Sequence, residues 1–411
     1  MQAQVKETQL ELMSKEINKD YAISNRKWVL SLIERKLREG GADSKWAPRF
    51  SKSIARSWDS SPLPIETKKW AIRKGFKPES VYLYDLNEEN YMHYLSDFDY
   101  MCLHPLNNHF AFWINDKITL KYLFGKPLCI NKERGEDADL MPEYYLYIEN
   151  DGHYSYLMDS PEGIRHDENY LFHLLQNKGT LALKPSNGGG GFGFVKLSYA
   201  GSQIVWNDES ITEEILKQRA KELNGYIVTE FTSQHPELDE VWNKSVCTLR
   251  INIVKNIPED YGGGEHHVIA AYARFGTEMS DGACNMHAGG VAIAFDINTG
   301  DYGDCFFRYS GFEKNTKTLY DCHPDTQVSL KGRKLPYWEQ VRDSVYAVAR
   351  HLSSLDYMGI DMVITDKGVK MLEINSLPAA STPQVLCGPY MDNPYAAQFF
   401  KEKKRKAMKR L

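Results

Sequence analysis

The sequence predicts an α+β protein, two mixed lobes closing on one cleft behind a helical N-terminal region. Three observations lead there. From residue 180 onward, short β-prone runs dominate in separate blocks that each carry a helical pattern, as mixed layers around a core require. The first 75 residues are instead patterned mostly as helix. Finally, Gly188 to Gly193 holds five glycines in six positions between two β-prone flanks. That is a hairpin whose tip carries almost no side chains.

Taken in order, the N-terminal stretch MQAQVKETQLELMSKEINKD lacks the apolar centre of a signal peptide and reads as helix. Trp28, Val29, Ser31–Ile33 and Leu37 continue with a spacing near 3.6, and Gly40-Gly41 supplies a stop. Residues 80–130 are rich in aromatics. VYLYDL reads as a strand, and a helix is expected from about Asp116 to Phe124, closed by Gly125. EYYLYIEN (143–150) is a strand. TLALKP and GFGFVKLSYAG flank the glycine tip, QIVWND is a third strand, ITEEILKQRAKELN a helix and GYIVTEF a fourth strand. VCTLRINIVKNI and HHVIAAYARFG are β-rich runs joined by EDYGGGE. GGVAIAFDINTGDYG turns at Asn298-Thr299-Gly300. YWEQVRDSVYAVARHLSSL is an amphipathic helix, and MGIDMVITDKGVKMLEINSLP is two strands around Asp366-Lys367-Gly368.

Composition narrows the function. At 411 residues, 42% hydrophobic and 26% charged, the chain has the make-up of a soluble globular protein. No apolar run approaches the ~18 residues of a membrane span. Seven scattered cysteines without a CxxC pair fit a reducing cytoplasm and argue against a zinc ribbon or disulfide framework. The net charge is −5, and KEKKRKAMKR at 401–410 carries +6, so residues 1–400 sum to −11. Such a body excludes a nucleic-acid binder. The basic tail reads as a solvated helix end or as a contact for acidic lipid or a partner.

Two stretches carry chemistry. A bare glycine tip can bring backbone N–H groups against phosphate. In the last hairpin, Glu373 and Asn375 are two apart and share a face, and Asp361 lies on the antiparallel partner. Two carboxylates and an amide oxygen suit a hard cation, Mg²⁺ or Mn²⁺, with a nucleotide. A solvated polar face would give the same pattern. Arg250 and Arg274 sit within apolar β-runs, so each faces a cleft or a carboxylate partner. CNMHAGG offers Asn285 and His287 to orient a substrate. His104, His109, His266 and His267 form no complete metal pattern.

Together these parts resemble the ATP-grasp superfamily. GIDMVITDKGVKMLEINSLP resembles its metal-binding segment, LKPSNGGGGFGFV its mobile phosphate loop, and NDKITLKYLF the segment with its first phosphate-binding lysine. YIVTEF resembles the strand that holds adenine. The order of TEFTSQHPELDEVWNKSVCTLRINIV, ARFGTEMSDGACNMHAGGVAIAFDINTG, HPDTQVSLKGRKLPYW and the final hairpin is similar to the sugar-transfer-associated branch, over about residues 100–390. The resemblance implies an ATP-grasp fold with ATP on Lys117, Lys184, Ser186, Gly188, Gly189, Gly190, Gly191, Glu230, Phe231 and Glu237, Asp239 being nearly as eligible as Glu237. It implies metal at Asp361, Glu373 and Asn375, and Arg250, Arg274, Asn285 and His287 as catalytic groups. The divisions expected are 1–100, a helical region of unknown role; 101–230, the lobe with the glycine loop; 231–395, the lobe with the metal site; and 396–411, the basic tail.

The activity so implied is ATP-dependent joining of a carboxylate to an amine or hydroxyl through an acyl phosphate, in surface-polysaccharide or cell-envelope synthesis, the acceptor being sugar-linked. Two alternatives stand beside it: a small-molecule kinase of the same superfamily, and a nucleotide-binding scaffold without catalysis. Gly188-x-Gly190-x-x-Gly193-x-Val195 also matches the protein-kinase glycine loop, but no HRD or DFG follows, which excludes that fold.

Overall fold

The computed structural model describes residues 27–43, 45–150, 152–188, 191–256, 264–280, 284–309 and 317–408. The expected helix before residue 27, residues 257–263 with most of the EDYGGGE junction, and Gly189 and Gly190 of the glycine loop lie outside them. The chain divides into two compact units, residues 1–105 with 389–411, and residues 106–388.

The first unit is helical. Its helices include 27–39, Ala47–Ser60, Ile65–Lys74, Pro78–Tyr84, Asp97–Cys102 and the C-terminal Pro394–Met408. Val29, Ile33, Leu37, Ile54, Ile72 and Phe98 form its core. The basic C-terminal segment belongs to this unit as a packed helix. Lys404 pairs with Asp99 at 2.7 Å, and Phe400 stacks on Tyr390.

VYLYDL is helix, not strand. Pro78 opens that helix, where its missing N–H costs nothing, and Asp85 closes it at φ 52°, donating its N–H to the Val81 carbonyl. Ser80, Val81, Leu83 and Tyr84 are all buried. The apolar run reflects burial on several sides, which a strand pattern mimics over six residues.

The second unit holds sixteen strands among the described residues. β1 (Leu128–Asn131) and β2 (Glu136–Ala138) form a small ribbon. β3 (Tyr144–Ile148), β4 (Tyr154–Tyr156), β5 (Thr180–Pro185), β6 (Val195–Ala200), β7 (Gln203–Trp206), β8 (Glu209–Ile211) and β9 (Tyr226–Glu230) make one antiparallel sheet in the order 4-3-9-5-6-7-8. β10 (Thr248–Asn256), β11 (Glu265–Phe275), β12 (Val291–Ala294), β13 (Phe306–Tyr309), β14 (Lys317–Tyr320), β15 (Tyr357–Thr365) and β16 (Gly368–Asn375) make another, in the order 14-13-12-11-10-15-16.

Alternation within the strands decides the layers. Leu181, Leu183 and Val228 pack beneath the helices Tyr170–Lys178 and Glu213–Glu222. Their neighbours Ala182, Lys184 and Thr229 therefore face the other way. Leu249, Ile251 and Ile253 of β10 pack with Val341, Val345 and Val348 of the helix Trp338–His351. This turns Arg250 to the opposite face. Caps set the helix starts: Asp116 accepts from Thr119 N–H, and Thr212 from Ile215 N–H. The hairpin β5–β6 forms as expected, but β6 begins at Val195. Phe192 and Phe194 are exposed in the turn before it.

Candidate active site

The site gathers where the helix Lys117–Leu123, the start of the glycine loop and the β15–β16 hairpin meet. Lys117 is the first residue of its helix and is buried. Its N–H donates to the Ser186 carbonyl at 3.0 Å, and its ammonium to the Gly188 carbonyl at 2.7 Å. The same ammonium lies 3.7 Å from the Glu373 carboxylate. Ser186 is buried, with its N–H on the Gly225 carbonyl. Lys184 has no ion pair among the described residues. Burial, then the charge of Lys117, lowers its pKa to about 8, with Glu373 opposing.

Gly188 and Gly191 have φ of +115° and +75°, and a Cβ on either would meet nothing within 4 Å. Glycine is needed there for the left-handed backbone rather than for room.

On β10, β11, β15 and β16 one cross-strand row carries charge. Tyr272 pairs with Arg250, Arg250 with Asp361, and Asp361 with Glu373. Asp361 is buried and accepts from both guanidiniums. Arg250 reaches it through Nε, and through Nη2 at 2.8 Å; Arg274 reaches it at 3.0 Å. Burial opposes this charge, yet the two arginines hold its pKa well below the carboxylate range. At Glu373, burial and then the Asp361 charge push the pKa up, while Lys117 and the Asn375 amide (3.3 Å) pull it down. Both arginines thus have a carboxylate partner. Arg274 keeps a buried Nε with no hydrogen-bond partner among the described residues.

The loop 284–290 lies beside this row. Cys284 Sγ is 3.0 Å from the Thr248 hydroxyl, and Thr248 pairs with Arg274 across the sheet. Asn285 turns the loop, its carbonyl accepting from Ala288 and Gly290. The His287 side chain lies outside the described part.

A family model for sugar-transfer associated ATP-grasp proteins matches residues 108–393. The chain belongs to that family. It is accordingly an ATP-grasp enzyme. Among solved structures, this ATP-grasp chain is similar to a D-alanyl-alanine synthetase A from Vibrio cholerae (13% identity, TM-score 0.39, 74% of this chain and 67% of that one). It is also similar to VanG D-Ala:D-Ser ligase from Enterococcus faecalis (13%, 0.38, 74% and 63%). A third is D-alanine–D-alanine ligase from Bacillus anthracis (14%, 0.36, 74% and 71%). No curated protein matches.

The remaining expected groups lie in the same compact unit. Glu230 ends β9, its carboxylate accepting from the Glu143 N–H at 3.1 Å. Phe231 lies under the Lys196 ammonium, 4.8 Å from the ring centroid. Asp239 accepts from the Gln234 amide at 2.6 Å, whereas Glu237 is exposed, with no ion pair at its carboxylate among the described residues. Tyr144 and Tyr272, which bring hydroxyls to this region, escape a reading of sequence because each sits in a run that simply looks like core.

Proposed function

We propose that the chain joins a carboxylate to an amine or hydroxyl at the expense of ATP, through an acyl phosphate. What supports this is the charge around Glu373. Among the described residues, the carboxylates that pair with or act on Lys117, Lys184, Arg250 and Arg274 are Asp361 and Glu373, a surplus of two positive charges that suits a polyphosphate. In this reading Lys117, Lys184, Ser186 and the glycine loop hold the phosphates, Glu230 and Phe231 the base, and Glu237 the ribose. The γ-phosphoryl group passes to a carboxylate oxygen, releasing ADP. The nucleophile then attacks the carbonyl carbon, the C–O bond to phosphate breaks, and the nucleophile's proton is lost. Arg274, through its unpartnered Nε, would stabilise the anionic intermediate. Asn285 and His287 would orient the substrate.

A divalent cation fits the donors present. No group of three or more His, Cys, Asp and Glu among the described residues is arranged to hold a metal by itself. Glu373 and the Asn375 carbonyl supply oxygens, however, and among the described residues Asp361 Oδ1 takes only one N–H, leaving it a further acceptor position. When bound, Mg²⁺ would neutralise β- and γ-phosphate charge. The family's description, sugar-transfer associated, suits a sugar-linked acceptor; surface-polysaccharide or cell-envelope synthesis is part of this proposal. A cytoplasmic location accords with seven unpaired cysteines. Among the described residues no helix is long and apolar enough to cross a membrane.

The experiment is ADP release across pooled sugar acids, amino acids and peptides, with hydroxylamine present. The activated acid should be trapped as a hydroxamate. Arg274→Ala should keep its nucleotide affinity and lose product formation by about 10²–10³. A stable phosphorylated product without hydroxamate would favour the kinase; nucleotide binding without turnover on any acid would favour the scaffold.

Lys184 makes a pH prediction. A bound phosphate raises its pKa again, so above pH 8 binding must take up a proton. Nucleotide affinity should therefore fall as pH rises beyond about 8, by up to about tenfold per unit. The calorimetric enthalpy should then depend on the buffer's ionisation heat. Affinity that stays flat from pH 7 to 9.5 would contradict the assignment.

A further inference from the structure

We infer that the Tyr144 hydroxyl is a further phosphate ligand, donating a hydrogen bond to a phosphate oxygen of the bound nucleotide. The inference rests on the nucleotide reading above. Tyr144 is wholly buried at the start of β3, yet its hydroxyl has no hydrogen-bond partner among the described residues. Burying a hydroxyl without an acceptor is unfavourable, so such a group beside a lysine that has no ion pair among the described residues points to an acceptor that arrives later.

The residue is held rigidly. Its N–H donates to the Asp159 carboxylate at 2.7 Å, and its carbonyl accepts from the Asp159 N–H at 3.1 Å. Lys121 braces that carboxylate at 2.9 Å and the Pro142 carbonyl at 3.0 Å. The ring therefore stays where the strand sets it. Tyr144 pairs with Thr229, and Thr229 with Ala182, so these residues share a face with Lys184, two positions beyond Ala182.

The surroundings select an anion. The ammonium groups of Lys184 and Lys121 each lie 5.7 Å from the ring centroid. Lys121 is already paired with Asp159, whereas Lys184 has no ion pair among the described residues. Burial, then the charges of Glu373 and of Asp116, the cap of the Lys117 helix, keep the phenol protonated. It can only donate to an incoming anion, beside a lysine that also needs one. Phosphate held by Lys117 and Lys184 meets both demands.

The test is Tyr144→Phe in the full chain, which removes the oxygen and keeps the ring. Isothermal titration should show affinity for Mg²⁺·ADP, or for a non-hydrolysable Mg²⁺·ATP analogue, falling about ten- to a hundredfold. Adenosine, which has no phosphate, should bind within about twofold of the unaltered protein, and the thermal midpoint should be equal or higher. Unchanged affinity for both nucleotides would overturn the inference and leave the nucleotide reading standing. So would a loss shared by adenosine, or a lower midpoint, which would mean that water or protein already satisfies the hydroxyl. If the unaltered protein binds neither nucleotide, both fall.

Discussion

Glu373→Ala is expected to lower ATP-dependent turnover by about 10³ while leaving the circular dichroism spectrum unchanged. Glu373 stands at a crossing. Asp361 faces it across the hairpin, Lys117 lies 3.7 Å away and the Asn375 amide 3.3 Å away. Removing its carboxylate takes away an oxygen donor for the cation and the counter-charge that keeps Lys117 and Lys184 compatible at close quarters. Residues that act as a unit lose most of their effect when one is removed, so the upper end of the usual range applies. Glu373→Gln keeps the size and discards the charge, and should fall nearly as far. ADP release at saturating Mg²⁺ measures both. Near-normal turnover in either variant would sink the assignment, since the side chain is half-buried and supports little of the core.

Arg250→Met should cost about 3–5 kcal/mol of stability, more than Arg274→Met. Arg250 gives Asp361 two hydrogen bonds and Arg274 gives it one, so losing Arg250 strands a buried carboxylate with a single N–H. The penalty is that of an uncompensated charge, not the net worth of the pair. Asp361→Asn in the Arg250→Met background should therefore recover part of it. Asp361 has a depressed pKa when folded, so its contribution is present above its unfolded pKa and is lost as pH falls through the folded one. Without Arg250 that folded pKa rises, and acid unfolding should begin at higher pH. Urea midpoints at pH 7 and pH 4 report both effects. Wild-type midpoints for Arg250→Met would contradict a buried ion pair.

Much of the site is legible in single stretches because strand periodicity is local. The positions of Glu373 and Asn375, two apart, place them on one face before any partner strand is known. Asp361 opposite Glu373 follows from a short turn, and the observed register pairs them directly. The helix beginning at Lys117 is equally local, since its cap and closing glycine lie within ten residues.

The two arginines show where that stops. Sequence leaves each with a choice between a cleft and a carboxylate. The structure gives both the same carboxylate, because β10 lies between β11 and β15 and sets their side chains on one face. The helix at Pro78–Tyr84 was hidden for a related reason. A mostly apolar run as short as VYLYDL has no period of its own, and only the neighbours that bury it decide between strand and helix.

What the sequence by itself determined is the inventory of the site: a bare loop, two lysines, two acids, an amide and two arginines at spacings that put neighbours on common faces. Tertiary structure alone decided how those charges are shared. It neutralised Asp361, left Lys184 without an ion pair among the described residues, and buried the Tyr144 hydroxyl beside it. Pairing and desolvation depend on groups brought together from some 250 residues of chain, between Lys117 and Glu373, and no local pattern encodes them.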